Sequence, residues 1–171
     1  MIELNGASYD KLVVNRPNEI AAIHAGVCSH KQTLHAVTVR GNEAVGGIWE
    51  FTAPSFREMW WKGITLDSPK VKEVECDTLD NLLLTYAPQA TMFEFLGLDV
   101  EGAEMSVLES IDFSRIAFGI MLIEADQHNP LKNLAMTKFL ETRGYSFMFE
   151  YERSYWFVND DFYEIYKDLV Y

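Results

Sequence analysis

The chain has 171 residues, 49% of them hydrophobic, a length and composition that suit one domain with its own core over residues 1–171. Charged residues make up 23% and aromatic residues 13%, which is too apolar for a disordered protein. The 26 acidic residues outnumber 14 lysines and arginines, for a net charge of -12. This charge disfavours nucleic acid and anionic membrane surfaces as partners.

The first residues and the cysteines bear on the cellular compartment. The N-terminus shows neither the basic leader nor the apolar core of a signal peptide, and no run reaches the ~18 apolar residues of a membrane span. Cys28 and Cys76 are the two cysteines. Two cysteines in a chain of this size favour free thiols in a reducing compartment over a single bridge. We therefore expect a cytoplasmic protein without a disulfide.

The first half of the chain predicts a helix followed by short strands. Tyr9, Leu12 and Val13 recur at helical spacing, and Arg16-Pro17 ends the helix. Later apolar runs flank a polar tip, as in an antiparallel hairpin. The predicted elements are a helix over 8–15, a strand over 19–24, and hairpin strands over 33–39 and 44–51.

Residues 40–72 form an aromatic segment that is long for a plain connection. We expect a variable loop insertion here, irregular over 52–72. Trp49, Trp60 and Trp61 lie within it. They predict a hydrophobic anchor for the loop or, as the less favoured alternative, the aromatic wall of an acceptor site.

The second half alternates strands and helices. The near-continuous apolar runs 92–98 and 117–123 predict two buried parallel strands. Asn129-Pro130 predicts a helix start and Gly144 its end. The pattern predicts an α/β sheet, mainly parallel, with helices on both faces and a C-terminal antiparallel hairpin. The other predicted elements are a strand over 71–76, a helix capped at 77 or 78, a helix over 102–111, hairpin strands over 145–151 and 154–158, and a helix from 160.

Acidic residues follow the two buried strands, at the sheet edge where α/β folds bind ligands. Asp99 and Glu124 end these strands, and neighbouring parallel strands would bring them within about one or two spacings of ~4.8 Å. With Glu101, they could bind a cationic cofactor or ribose hydroxyls, or hold a hard metal such as Mg²⁺. The third interpretation, a solvated side chain near a helix start, is favoured for Glu104 and Glu109. We expect Asp99 and Glu124 to be less exposed than Glu104 or Glu109.

Other chemistries lack their sequence patterns. His24, Cys28, His30 and His35 do not have the spacing of a closed zinc site, so we expect no metal there. The chain also contains no nucleophile elbow, no P-loop and no G-x-G-x-x-G fingerprint. The absence of these patterns disfavours a serine hydrolase and a nucleotide-binding fold of the common types.

The stretch Leu98–Glu104, with the sequence LDVEGAE, is followed by Val107-Leu108. It resembles the signature of the FkbM-like family of S-adenosylmethionine-dependent methyltransferases. Other segments are similar to the family in the same order, and the resemblance covers nearly all of the chain. These segments are 2–5, 9–17, 25–29, 75–79, 122–124, 144–145 and 156–158.

The resemblance implies a Rossmann-like methyltransferase sheet and a bound S-adenosylmethionine. Glu3 would hydrogen-bond the ribose hydroxyls of this cofactor, and Ala25 and Gly26 would lie against the adenine. Asp99 would lie near the methionine part and the acceptor. The family begins with a strand and a glycine turn that are absent from this chain. We therefore expect an N-terminally incomplete sheet with an exposed strand edge, through which the chain could self-associate.

The resemblance also implies methyl transfer to a hydroxyl of a small molecule or a glycan. Catalysis would depend chiefly on the alignment of donor and acceptor. Asp99, Glu124 or His128, in that order, would serve as a base for a hydroxyl acceptor. Two alternatives stay open: a degenerate, inactive domain that binds a ligand or a partner, and a metal-dependent hydrolase that uses Asp99 and Glu124.

Overall fold

The structure is a computed structural model that describes residues 1–39, 41 and 45–166. The chain divides into two compact units. The first unit holds Met1–Gln89 and Glu101–Ile111, and the second holds Ala90–Val100 and the described residues from Asp112 onward. Most of the polar tip predicted for the first hairpin lies outside the described residues, and so does the last part of the helix predicted from residue 160.

The first unit contains two sheets. A parallel pair, β1 with β2, forms the smaller sheet, and the larger sheet has the order β3-β6-β4-β5. In the larger sheet β3 runs parallel to β6, whereas β4 runs antiparallel to both β5 and β6. The strands are β1 (Ile2–Glu3), β2 (Ile23–His24), β3 (Gly26–Val27), β4 (Gln32–Val37), β5 (Gly47–Ile48) and β6 (Val71–Asp77), and the helices are α1 (Gly6–Asn15), α2 (Pro54–Trp60), α3 (Leu79–Tyr86) and α4 (Glu104–Glu109).

Local sequence accounts for several of these boundaries. The Asn5 side chain accepts the N–H groups of Ala7 and Ser8 and so caps α1. Thr78 caps α3 in the same way, which confirms one of the two predicted caps. The strand predicted over 19–24 is shorter than expected because its partner β1 is only two residues long. The segment predicted as irregular over 52–72 contains α2, which begins at a proline.

The core of the first unit contains a disulfide between Cys28 and Cys76, with their Cα atoms 5.9 Å apart. Both cysteines are buried, together with Leu34 and Ile48. The prediction of free thiols is therefore wrong. The physical reason is the pairing of β3 with β6, which places Gly26 beside Cys76 and brings the chain two residues later within bonding distance. The sequence separation of 48 residues hides this proximity.

The second unit contains one four-stranded sheet with the order β7-β8-β10-β9. β7 runs parallel to β8, and β10 runs antiparallel to β8. β9 and β10 are antiparallel, which confirms the predicted closing hairpin. The elements are β7 (Met92–Leu98), β8 (Ala117–Glu124), α5 (Pro130–Glu141), β9 (Tyr145–Tyr151), β10 (Ser154–Asn159) and α6 (Asp160–Tyr166).

The fold is mixed α/β, but the sheets of the described residues are not mainly parallel. Three strand pairs are parallel and four are antiparallel. The antiparallel pairs arise because both predicted hairpins join the sheets as strands. The segment 40–72, predicted as a loop insertion, contributes one of these strands, β5.

The two apolar strands of the second unit differ in burial. β8 is central, and its Met121 and Ile123 are fully buried, as predicted. β7 pairs only with β8 among the described residues, and Phe95 is 52% exposed. The prediction that β7 is buried is therefore wrong. A continuous apolar run does not distinguish an edge strand from a central one.

Helix α5 follows the sequence prediction at both ends. The Asn129 side chain accepts the N–H of Lys132, and Pro130 occupies the first turn. Gly144 follows the helix with a positive φ of 77°. No helix within the described ranges is both long and apolar enough to cross a bilayer.

Candidate functional site

Glu3 and Ala25, two of the residues predicted to bind the cofactor, meet at the ends of β1 and β2. The Ala25 N–H donates to the Glu3 carbonyl at 3.2 Å. The Glu3 carboxylate accepts the Asn5 N–H at 2.7 Å, and His24 is the strand partner of Glu3. His24 in turn stacks on Tyr9 at 4.9 Å. Glu3 is therefore a fixed, half-buried carboxylate at the end of a parallel strand.

Gly26 is buried at the start of β3. A Cβ atom at this position would lie 3.1 Å from the Cys76 Cβ and 3.4 Å from a methyl group of Leu4. The close approach of these two side chains therefore explains the glycine. Its proximity to adenine stays a prediction.

The geometry at Glu3 fits the ribose of S-adenosylmethionine. One carboxylate oxygen is engaged by Asn5, and no other hydrogen bond to this carboxylate forms within the described part of the chain. An ionised carboxylate offers about four acceptor positions, so Glu3 retains capacity for two neighbouring hydroxyl donors. Such charge-assisted hydrogen bonds are among the stronger ones in proteins.

Asp99 and Glu124 end β7 and β8, and their carboxylate oxygens approach within 4.8 Å of one another. The predicted proximity of this pair is confirmed. Asp99 is exposed, whereas the Glu124 side chain is 14% exposed and lies 3.4 Å from the Arg153 guanidinium. Glu104 is only 1% exposed, and its carboxylate accepts a backbone N–H. The expectations that Asp99 and Glu124 are less exposed than Glu104, and that Glu104 is a solvated side chain, are therefore wrong.

His128 lies in the loop after β8, which polar contacts hold in place. Its backbone N–H donates to the Asp126 carboxylate at 2.8 Å. Asp126 also pairs with Lys132 at 3.0 Å, and its backbone exchanges two hydrogen bonds with the Asn133 side chain. The loop is thus tied to α5. The role of His128 as a base stays a prediction.

The signature turn of LDVEGAE has an unusual backbone. Glu101 and Gly102 adopt positive φ values of 52° and 107°. A Cβ on Gly102 would lie 3.0 Å from the Phe51 carbonyl oxygen, so this position requires glycine on two counts. The Thr52 hydroxyl donates to the Glu101 carbonyl at 3.5 Å. The turn is therefore packed against the aromatic segment, within the first unit.

The tryptophans of this segment serve mainly as an anchor. Trp61 is 2% exposed, and its indole N–H donates to the Val45 carbonyl at 2.7 Å. Trp49 stacks on Trp61 at 5.9 Å, and the Arg57 guanidinium lies 4.7 Å from the Trp49 ring. Trp60 is the most exposed of the three, at 45%. The geometry favours the anchor interpretation over the aromatic wall.

Sequence reasoning missed one polar pair, His35 and Glu50. The His35 Nδ1 lies 2.6 Å from one Glu50 carboxylate oxygen, and the His35 backbone N–H donates to the other. Burial raises the pKa of Glu50, but the hydrogen bonds from His35 outweigh it and hold the pKa below its usual value. The β4–β5 hairpin register was the signal that could have revealed the pair.

A comparison with protein families identifies the family of this chain. The family model of the methyltransferase FkbM domain matches residues 2–147 of the 171-residue chain. The chain belongs to the FkbM methyltransferase domain family. Searches of curated proteins and of solved structures find no match.

The FkbM match covers the signature and the residues that the sequence predicts for the site. LDVEGAE lies inside the FkbM match, and so do all six predicted site residues. Membership in the FkbM family supports methyl transfer as the general chemistry. The six residues are Glu3, Ala25, Gly26, Asp99, Glu124 and His128.

Proposed function

We propose that this FkbM domain transfers a methyl group from S-adenosylmethionine to a hydroxyl of a small molecule or a glycan, on a Rossmann-like scaffold. The observation that carries the proposal is the half-buried Glu3 carboxylate, which ends a parallel strand beside Ala25 and keeps acceptor capacity. A carboxylate in this position has a direct use in holding two ribose hydroxyls.

The chain's own residues would align donor and acceptor. When bound, S-adenosylmethionine supplies a methyl group already activated on a sulfonium, so orientation accounts for most of the catalysis. Asp99 and Glu124 lie close enough to act on one acceptor, and Glu124 is partly neutralised by Arg153. Asp99 is thus the more available base of the two, and His128 is the third candidate.

Calorimetric titration of the chain with S-adenosylmethionine tests the assignment of Glu3. We expect Glu3→Ala to weaken binding by about 1–3 kcal/mol, as for a hydrogen bond to a charged group. Glu19→Ala is the matched control, because Glu19 is a carboxylate of the same unit whose partner is Arg16. Equal affinity of Glu3→Ala and the parent chain would refute the ribose assignment. Absence of any binding by the parent chain would refute the proposed function.

A further inference from the structure

His35 and Glu50 form a pair with the geometry of a histidine oriented by a carboxylate. Glu50 accepts from Nδ1 at 2.6 Å and from the His35 backbone N–H at 3.2 Å, so the carboxylate holds both the ring and its strand. With the proton on Nδ1, the lone pair of Nε2 is available as a proton acceptor. Both side chains are 33% exposed, so a solvent-borne molecule can reach them.

The pair lies on the sheet face that the signature turn contacts. Val37 is the partner of Gly47 in the β4–β5 register, and His35, two residues earlier, shares their face about 7 Å away. A Cβ on Gly47 would lie 3.3 Å from the Glu101 Cβ. The same face of the sheet therefore carries the Glu101 contact at one position and the His35 imidazole two residues away.

The groups around His35 are polar. Glu73 is the partner of His35 on β6. Glu75, two residues further along the same face of β6, accepts the Thr33 hydroxyl at 2.6 Å. The Arg57 guanidinium covers Trp49, whose backbone N–H donates to the His35 carbonyl. Exposed carboxylates that accept hydroxyl protons suit a polyhydroxylated molecule better than an apolar one.

We propose that the face of β6 and β4 that carries Glu73, Glu75 and His35 binds a polyhydroxylated acceptor, and that His35, oriented by Glu50, removes the proton from the hydroxyl that is methylated. The proposal rests on the proposed function. Glu50 is a positioning residue, because it acts through His35. In this proposal His35, and not Asp99, accepts the hydroxyl proton, so the base lies in the first unit together with Glu3 and the Glu101 turn.

The proton balance of this step is simple. The acceptor oxygen forms a bond to the methyl carbon while the carbon–sulfur bond breaks, with its electron pair passing to the sulfonium sulfur. The hydroxyl proton moves to Nε2 of His35, and the imidazolium charge is stabilised by Glu50. The proton then leaves to water, which restores the neutral imidazole.

The first test does not depend on activity. Nitrogen-15 NMR of the parent chain at neutral pH should show His35 with its proton on Nδ1, and Glu50→Gln should weaken this preference. A parent chain whose neutral His35 carries its proton on Nε2 would overturn the proposal, because no lone pair would then face the acceptor.

The second test measures transfer of a labelled methyl group from S-adenosylmethionine to a panel of methyl hexopyranosides. We expect His35→Gln to lower kcat about 10²-fold or more, with unchanged affinity for S-adenosylmethionine by calorimetry. Free imidazole should restore activity to His35→Ala. His30→Gln is the control, because His30 is an exposed histidine of the same unit.

The outcomes separate the two proposals. Transfer by the parent chain with full activity of His35→Gln would overturn the role of His35 and leave the methyltransferase function standing. Loss of activity that imidazole does not restore would reduce His35 to a structural residue and also overturn the role. No transfer by the parent chain to any hexopyranoside would overturn the polyhydroxylated acceptor, and no binding of S-adenosylmethionine would overturn both proposals.

Discussion

Gly26 and Cys76 face one another in neighbouring strands with little space for a methyl group between them. A Cβ on Gly26 would lie 3.1 Å from the Cys76 Cβ, and the disulfide to Cys28 restricts any movement of that atom. Gly26, one of the predicted cofactor-binding residues, therefore rests directly on the disulfide-linked core. Changes in this core should reach the candidate site.

Gly26→Ala should lower the free energy of unfolding by about 1–3 kcal/mol, as overpacking does in a dense core. Urea denaturation monitored by tryptophan fluorescence measures the change. Gly6→Ala is the matched control, since a Cβ there would make an ordinary contact of 3.5 Å with His24. An unfolding midpoint for Gly26→Ala equal to that of the parent chain would contradict the close approach.

Loss of the disulfide should destabilise the first unit. The bridge closes a loop of 48 residues, which corresponds to about 4 kcal/mol by loop-closure entropy. Cys28→Ala with Cys76→Ala should therefore unfold at lower urea concentration, and a reductant should shift the parent chain but not the double variant. If reductant leaves the parent chain unchanged under unfolding conditions, the bridge does not form.

Tyr145→Phe should cost about 1–3 kcal/mol, because the Tyr145 hydroxyl accepts the backbone N–H of Phe118 at 3.0 Å in a buried position. Tyr151→Phe, at an exposed tyrosine of the same strand, should have little effect. A loss of the same size in both variants would argue against the hydrogen bond.

The pH dependence of Tyr145→Phe provides a second readout. Burial raises the pKa of Tyr145 above its usual value of 10.0, and hydrogen bonds to Phe118 and Asn159 only partly oppose this. Stability from the neutral phenol is complete below pH 10 and is lost as the pH rises through the higher pKa of the folded state. The Phe variant should lack this alkaline loss.

Glu50→Gln should reduce the loss of unfolding free energy that the protein shows as the pH falls into the acid range. The pKa of Glu50 is below its usual value of 4.5, so the ionised carboxylate stabilises the fold above that pH and the benefit is lost as the pH falls below it. We expect a small effect, since the His35–Glu50 pair is one-third exposed. Denaturation at pH 6 and pH 3.5 measures it; an equal loss in parent and variant would exclude the contribution of Glu50.

The sequence predicted those elements whose signals are local. The run Met92–Leu98 matches β7 residue for residue, and the Asn129-Pro130 cap marks the start of α5. The exposure of β7 was not predictable, because an edge strand and a central strand of a sheet can carry the same apolar run. The composition of a segment predicts that it forms a strand but does not predict the position of that strand in the sheet.

The candidate site divides in the same way. The family resemblance, and not periodicity, pointed to Glu3 and Ala25, which the parallel pairing of β1 with β2 brings together. The disulfide depends instead on which strands of the larger sheet become neighbours. That order is set by packing of the whole unit, and periodicity in the sequence contains no record of it.

The irregular pairing of β9 with β10 has a consequence for solubility. Phe149 lies opposite Trp156 and Phe147 opposite Phe157, so Met148 is an extra residue in the edge strand. The two phenylalanines contact rings on opposite faces as a result. A kinked edge offers an incoming chain no regular ladder of hydrogen bonds. The extra residue Met148 thus disfavours pairing of the apolar edge strand β9 with a strand of another molecule. Deletion of Met148 would leave a regular aromatic edge strand that could pair between molecules.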